Sequence, residues 1–506
     1  MVKYNNQNQI SIEEFKTPFQ QKLNSENRWV KLSLTVPWDS LATIYYKTMS
    51  EDQGRPGIDA RRIIGAMIIK HKLNLSDEET VMQIQENAYQ QYFLGYSTYE
   101  EATVFSPTLF VEIRKRLGAE KFDEMNTSII ETALEIKDTK RKQTAGKGQF
   151  NEETPVEGSS KEEGTKPNSG RLILDATVAE QAIKYPNDLE LLNDSRQESE
   201  NLIDLLFTMT DLKKKPRTYR RTARRNFLSI AKKKKKSKNE LRKAIGKQLS
   251  YLSRNLGHIE RLLERIGSIP FPLKAKEQKR YWIIQEIYRQ QKQMYDAGNH
   301  ICSDRIVSIS QPHVRPILRG KSRNSTEFGA KIGVSLWEGY AVPDTISWNA
   351  YNESQDLIGQ CEKYNERFGF YPEIVSADNV YGTQTNRNYL KSKGIHFSGK
   401  PLGRPKIQTQ ENQKELRKER HRRKQEYRER IPIEGKFGQG KNGYRLNYIR
   451  AKLQNTSESW ISCIFFVMNI VKLASEKINS FFYYTIFAQK FILKRFYCKL
   501  DLNYGQ

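Results

Sequence analysis

The chain has 506 residues, enough for about three domains, and its 85 Lys and Arg against 59 Asp and Glu give a formal charge of +26 and a pI of about 9.6. Such an excess points to an acidic polymer as partner, because basic side chains that neutralise phosphates release condensed counterions. Four scattered cysteines (Cys302, Cys361, Cys463, Cys498) exclude a disulfide scaffold and a paired zinc site; the polar start MVKYNNQNQISIEEF shows no secretory signal, and the longest apolar stretch, 460–471, is broken by Ser462 and Asn469 and short for a bilayer.

A protein of the reducing cytoplasm with no membrane partner is therefore expected. Residues 27–137 read as a helical amino-terminal domain. Within it Ile63, Ile64, Met67, Ile68 and His71 recur at helical intervals, and the pattern restarts at Ser76, an N-cap with Glu79 placed to complete a capping box. Such a module suits DNA-end binding or a purely structural cap. Residues 138–170 (DTKRKQTAGKGQFNEETPVEGSSKEEGTKPNSG) lack aliphatic periodicity and read as a flexible linker.

At RLILDATV the pattern becomes a buried strand, with Leu172, Ile173 and Leu174 running into Asp175. A polar helical tract occupies 184–300. Inside it residues 213–238 carry fourteen Lys or Arg and no acid. With nothing to offset self-repulsion, a polyanion-contacting arm is expected, in which Tyr219 and Phe227 either stack on bases or tuck into a core. EFGAKIGVSLW then alternates, placing Phe328, Ala330, Ile332, Val334 and Leu336 on one face of a half-buried strand, and YAVPDTISW completes an antiparallel pair. Leu357, Cys361, Tyr364 and Phe368 form a helical stripe that Gly369 terminates, and EIVSAD is a short strand ending at Asp378. A helix near QTNRNYLKSKG, a strand IHFSG, a charged segment containing Glu434 and an apolar helix with Trp460, Ile464 and Met468 follow, before a helical tail over 476–506. The order predicts an α/β fold: a mixed sheet flanked by helices, with a helical amino-terminal domain and a basic helical insertion after the first core strand.

Three carboxylates carry the chemistry. Asp175 and Asp378 each close an apolar strand, a poor place for packing and a good one for a site at the sheet's rim, although either alone also suits a turn or cap. With Glu434 they form a hard oxygen set for two divalent cations, the arrangement that activates a water or hydroxyl oxygen and stabilises the leaving oxygen of an in-line phosphoryl displacement. In EYRERIPIEGKFGQGKNGY, Tyr427, Arg430, Glu434 and Lys441 fall within a ~60° sector of an α-helix. Arg and Lys would grip phosphates, Glu would hold the metal and Tyr would pack beside the sugar–phosphate chain. Pro432 and the glycines after Glu434 leave a second option, a helix starting near Pro432 with Glu434 in its first turn.

Those four residues match in full the Tyr–Arg–Glu–Lys signature of bacterial insertion-sequence transposases of the DDE class, and the chain resembles that family elsewhere too. LILDATVAEQAIKYPNDLELLN resembles its first-aspartate block, IVSADNVYGTQTNRNYL its second, and GRPGIDARRIIGAMIIKHKLNLSDEET its helical amino-terminal domain. The likeness covers nearly the whole chain, excepting the linker, parts of the lysine-rich insertion and the carboxyl-terminal tail. It implies a ribonuclease H-like catalytic core over 171–475. It implies Asp175, Asp378 and Glu434 as catalytic residues and metal ligands for two Mg²⁺ ions (Mn²⁺ substituting), and DNA-binding roles at the transposon end for Tyr427, Arg430 and Lys441. The implied reaction is cut-and-paste transposition: nicking at transposon ends, then strand transfer. The implied partners are double-stranded DNA, as terminal inverted repeats and as target, and a second copy of the chain in a DNA-bound homodimer, with the bacterial cytoplasm and nucleoid as location.

One departure stands out: the insertion follows the first strand, and no Trp lies between Asp378 and Glu434. Trp337, Trp348 or Tyr381 would have to trap a flipped base if the reaction uses one. Two other functions remain open at this stage, a metal-dependent nuclease of the same fold and a non-catalytic DNA-binding repressor. The six histidines (His71, His258, His300, His313, His396, His421) show no metal-ligand spacing.

Overall fold

The computed structural model describes residues 14–17, 22–49, 57–145, 167–267, 270–318, 326–403, 409 and 412–501, with the backbone alone over 139–145 and 478–501. Its amino-terminal part is helical: α1 (Arg28–Ser33), α2 (Trp38–Tyr46), α3 (Ala60–Leu73), α4 (Asp77–Glu86), α5 (Ala88–Phe93) and α6 (Leu109–Ala145). Local chemistry sets these starts. Asn27, Asp59, Ser76 and Asn87 each accept a backbone N–H from the first turn, and Ser76 takes that of Glu79 at 3.0 Å. The α3 stripe Ile63, Ile64, Met67, Ile68 and His71 is buried throughout. The helix α6 turns at Gly118, where φ is +59°, and continues to Ala145. The expected linker thus loses its first residues, 138–145, to this helix; most of the rest, 146–166, lies outside the described residues.

The sheet begins with β1 (Arg171–Glu180) and is interrupted by four helices: α7 (Asp188–Phe207), α8 (Arg220–Ala231), α9 (Lys238–Ile266) and α10 (Ala275–Ala297). Leu192, Leu202, Ile203, Leu206, Leu252, Leu256, Ile259 and Ile284 give this insertion a hydrophobic core of its own. The chain then returns through β2 (Arg315–Leu318), β3 (Thr326–Trp337), β4 (Tyr340–Ser347), α11 (Asp356–Phe368), β5 (Ile374–Ser376), α12 (Gln384–Ser392), β6 (His396–Phe397), α13 (Gln413–Gly443) and α14 (Gln454–Asp501).

The strand order is β2-β3-β1-β5-β6. β1 pairs antiparallel with β3 and parallel with β5, β5 pairs parallel with β6, and β4 runs antiparallel along β3 on the edge it shares with β2. Glu338 and Gly339, both at positive φ, make the two-residue turn between β3 and β4. β3 is buried on both faces from Ile332 to Trp337 instead of half-buried, because β1 and β4 flank it while helices cover the sheet.

Residues 454–477 of α14 are long and apolar enough to cross a bilayer by length and composition, which corrects the shorter apolar stretch expected from the sequence. They are instead the hub of the core: Ile461, Ile464, Phe465, Phe466, Val467 and Met468 are buried, and Phe466 meets Phe122 of α6 with ring centroids 5.7 Å apart. Asn469, fully buried, donates to Asn126 of α6 (2.9 Å) and to the Ala341 carbonyl of β4 (2.8 Å), and accepts from the Ala341 N–H (3.0 Å). The amino-terminal helices and the sheet are therefore built around one core.

Candidate functional site

The parallel pairing of β1 with β5 brings the two aspartates to one level. Ile173 stands opposite Ser376, and Asp175 and Asp378 each lie two residues further on. β5 ends there and β1 does not: Thr177, Val178 and Ala179 continue the ladder with β3, so Asp175 sits midway along its strand, opposite Val334, instead of closing it. Asp378 does follow its strand. Its carboxylate caps the turn Asn379–Tyr381 by accepting the Asn379 N–H at 2.6 Å, and its side chain is exposed.

Glu434 comes from α13, which runs unbroken through Pro432; of the two arrangements open to the sequence, the chain adopts the continuous helix. Ile433, Lys436, Phe437 and Gly440 form its buried stripe. Glu429 pairs with Arg171 at the start of β1, and Glu426 lies 3.1 Å from His396 of β6, so the helix is tied across the parallel strands. Tyr427, Arg430, Glu434 and Lys441 then share a face beside that stripe.

Arg430 does the gathering. Its guanidinium donates to Asp175 Oδ2 at 3.2 Å and to Glu434 Oε1 at 2.9 Å, and it stands 5.6 Å from the Tyr427 ring centroid. Lys441 Nζ is 3.7 Å from Glu327 at the start of β3. Burial, first of all, pushes the Asp175 carboxyl up to about 6; the Ala176 N–H and the Arg430 charge pull it down, and the negative charges of Glu353 and Asp378 add to the rise. Asp378 thus shares the electrostatic field of Asp175 without the Arg430 bridge that joins Asp175 to Glu434.

Glu353 was not legible as a site residue. It precedes α11, pairs with Lys331 of β3 at 2.7 Å, and acts on both Asp175 and Tyr381. A lone acid in an irregular segment gives no pattern to read; a search for carboxylates near the first aspartate in space would have found it.

The donors suit a hard divalent cation in kind, since they are carboxylates without thiolate or imidazole. Arg430 already holds positive charge between two of them, Asp175 and Glu434. Behind them the Tyr381 hydroxyl is buried and meets no hydrogen-bond partner among the described residues. Among the described residues no three His, Cys, Asp or Glu side chains stand close enough to share an ion, so in this arrangement Asp175, Asp378 and Glu434 are not gathered around one. The residues proposed to trap a base do not present a free ring: Trp337, Trp348 and Tyr381 are all buried in the core.

Two family models match the chain: one described as a transposase DDE domain over residues 375–471, and one described as a transposase domain (DUF772) over residues 17–116. The first spans Asp378 and the whole Tyr–Arg–Glu–Lys set; the second spans the helices up to the start of α6; Asp175 and the helical insertion lie in neither. The chain is also similar to an uncharacterized protein, ORF8 in the nfe locus of Rhizobium meliloti, at 26% identity over 172 residues, 33% of this chain and 69% of the relative. No solved structure matches it. Both matched domains are transposase domains; they support a transposase, a family that implies DNA binding. Taken together they support an insertion-sequence DDE transposase.

Proposed function

We propose that the chain catalyses Mg²⁺-dependent cut-and-paste transposition, nicking the ends of an insertion sequence and transferring the freed 3′ ends to target DNA. The observation that carries this reading is the Arg430 bridge: a cation from α13 joins Asp175 to Glu434, beside Asp378, at the rim where β5 ends. A ribonuclease H-like core is supported by the strand order and directions, three antiparallel strands (β4, β3, β1) followed by two parallel ones (β5, β6).

Asp175, Asp378 and Glu434 would hold two Mg²⁺ ions, which when bound supply activation of the attacking oxygen and stabilisation of the leaving one. The chain's own part is positioning and charge. A DNA phosphate arriving at α13 offers Arg430 a new bidentate partner, and the exchange frees Asp175 and Glu434 to serve as ligands together. Lys441, held by a half-buried pairing to Glu327, exchanges in the same way, and the exposed ring of Tyr427 packs beside the sugar–phosphate chain. A homodimer bridging both ends belongs to the same proposal, as does action in the bacterial cytoplasm.

The test uses duplexes that carry the terminal inverted repeats of the element. Mg²⁺-dependent nicking is expected, and Asp175→Ala, Asp378→Ala and Glu434→Ala should each reduce it by at least a hundredfold while end binding changes little. Unchanged nicking by Asp378→Ala would overturn the assignment of the site. Nicking without preference for the repeats and without strand joining would make the protein a nuclease instead.

A further inference from the structure

The insertion between β1 and β2 contains a folded cationic face. We propose that the outer face of α8 is a second, sequence-independent binding surface for the phosphate backbone of double-stranded DNA, separate from the carboxylate site. The proposal rests on the transposase reading for its partner and on the insertion's own geometry for its place.

The expected arm proves to be a helix seated on a core. Ala223 is buried, and Phe227 and Ile230 pack against the leucine-rich cluster of α7 and α9. At 100° per residue this leaves Arg221, Arg224, Arg225, Leu228 and Lys232 together on the opposite side, within about 100° of arc and along roughly 16 Å of axis. Those residues line one shallow groove with Ser229. The four cations are exposed.

Charge pairing distinguishes this face from three other cations of the same tract. Lys215 and Arg220 are paired with Asp204, Arg220 also with Glu200, and Lys233 with Glu240. Among the described residues no carboxylate pairs with Arg221, Arg224, Arg225 or Lys232. Four like charges on three turns repel one another, and a helix that keeps them without acids is stabilised by whatever supplies the anions. At the start of α8 Tyr219 is 40% exposed, sits in the left-handed region at φ +56°, and has the Arg217 and Arg254 guanidiniums 4.6 and 4.7 Å from its ring centroid. These contacts hold two more cations near the start of the helix.

A basic amphipathic helix also suits a membrane surface. Here the apolar side is already buried in the insertion and only half-buried Leu228 faces out, so nothing is left to enter a bilayer. A regular row of cations over ~16 Å matches a phosphate chain, which repeats its charge at short, fixed intervals.

The experiment measures binding of the full-length protein to a random-sequence 40-base-pair duplex by fluorescence anisotropy over a range of salt. The variant R221Q/R224Q/R225Q should lower the slope of log K against log salt by roughly 2.7, with a loss of about two orders of magnitude in affinity near 0.1 M salt and convergence with the parent at high salt. The variant R289Q/K292Q, which removes two exposed cations of α10 already paired with Glu286 and Asp296, should leave the slope unchanged. Circular dichroism melts confirm that both variants are folded. An unaltered slope in the triple variant overturns the proposal, and so does an equal effect in both, which would make net charge the cause. Mg²⁺-dependent nicking by the parent is scored separately. A changed slope without nicking sustains the surface and sinks the transposase reading; nicking with an unchanged slope does the reverse.

Discussion

Asp175 holds its charge at a price in stability. With its carboxyl raised to about 6 by burial, the folded state binds the proton more tightly than the unfolded chain, whose aspartate titrates near 3.8. Stability from this group is therefore complete below about pH 4 and is lost as the pH rises through 6, a cost of up to about 3 kcal/mol above that window. Asp175→Asn in metal-free protein should raise the thermal midpoint at pH 7.5 by several degrees and leave it unchanged near pH 4, as measured by scanning melts at both. Equal midpoints at pH 7.5 would mean that Arg430 fully offsets the burial. The residue types were legible beforehand: three acids, and Tyr, Arg and Lys at helical spacing around one of them. The bridge was not. Nothing in the spacing from Arg430 to Glu434 says that the same guanidinium also reaches Asp175, because that contact depends on how α13 lies across β1.

At the scale of the element, α13 shows where local rules yield. Pro432 removes one backbone donor and the glycines weaken the helix by roughly 1 kcal/mol each, yet it continues, tied by Arg171 to Glu429 and by the burial of Ile433 and Phe437. Gly435 and Gly438 have no packing reason to be glycine, for a Cβ at either would meet nothing within 4 Å. Gly438 stands on the face of Glu434 and Lys441, and a bare stretch there admits a close approach of backbone phosphates. Gly438→Ala should add about 0.5–1 kcal/mol of stability in urea melts and lower Mg²⁺-dependent nicking at least tenfold. Stabilisation with undiminished nicking would place the DNA elsewhere. The strand β3 teaches the complementary lesson. Its apolar alternation was readable, but Gly329, Gly333 and Ser335 on the other face read as solvent-facing, and only the fold reveals what covers them. A Cβ at Gly329 would lie 1.9 Å from the Ala179 carbonyl oxygen of β1.

For the whole molecule, composition and pattern gave the helical amino-terminal part, the mixed sheet and the basic insertion, but not how the first two are joined. Asn469 read as an interruption of an apolar stretch; it is the buried junction of α6, α14 and β4. Arg367 makes a second junction. It donates to Asp344 of β4 at 2.9 Å and to Asp123 of α6 at 3.0 Å, with 9% of its side chain exposed and 2% of that of Asp344. Such side chains are placed by tertiary contacts between segments hundreds of residues apart, so no window of sequence reveals them. Their consequence is that the amino-terminal helices and the sheet unfold as a unit. Arg367→Met should leave the Asp344 carboxylate buried without its ion partner and destabilise the protein by about 3–5 kcal/mol. In urea, α-helical signal and Trp fluorescence should shift together to a lower midpoint in a single transition. Two separated transitions, with only the earlier one moved, would show instead that the helical part docks on an independently stable core.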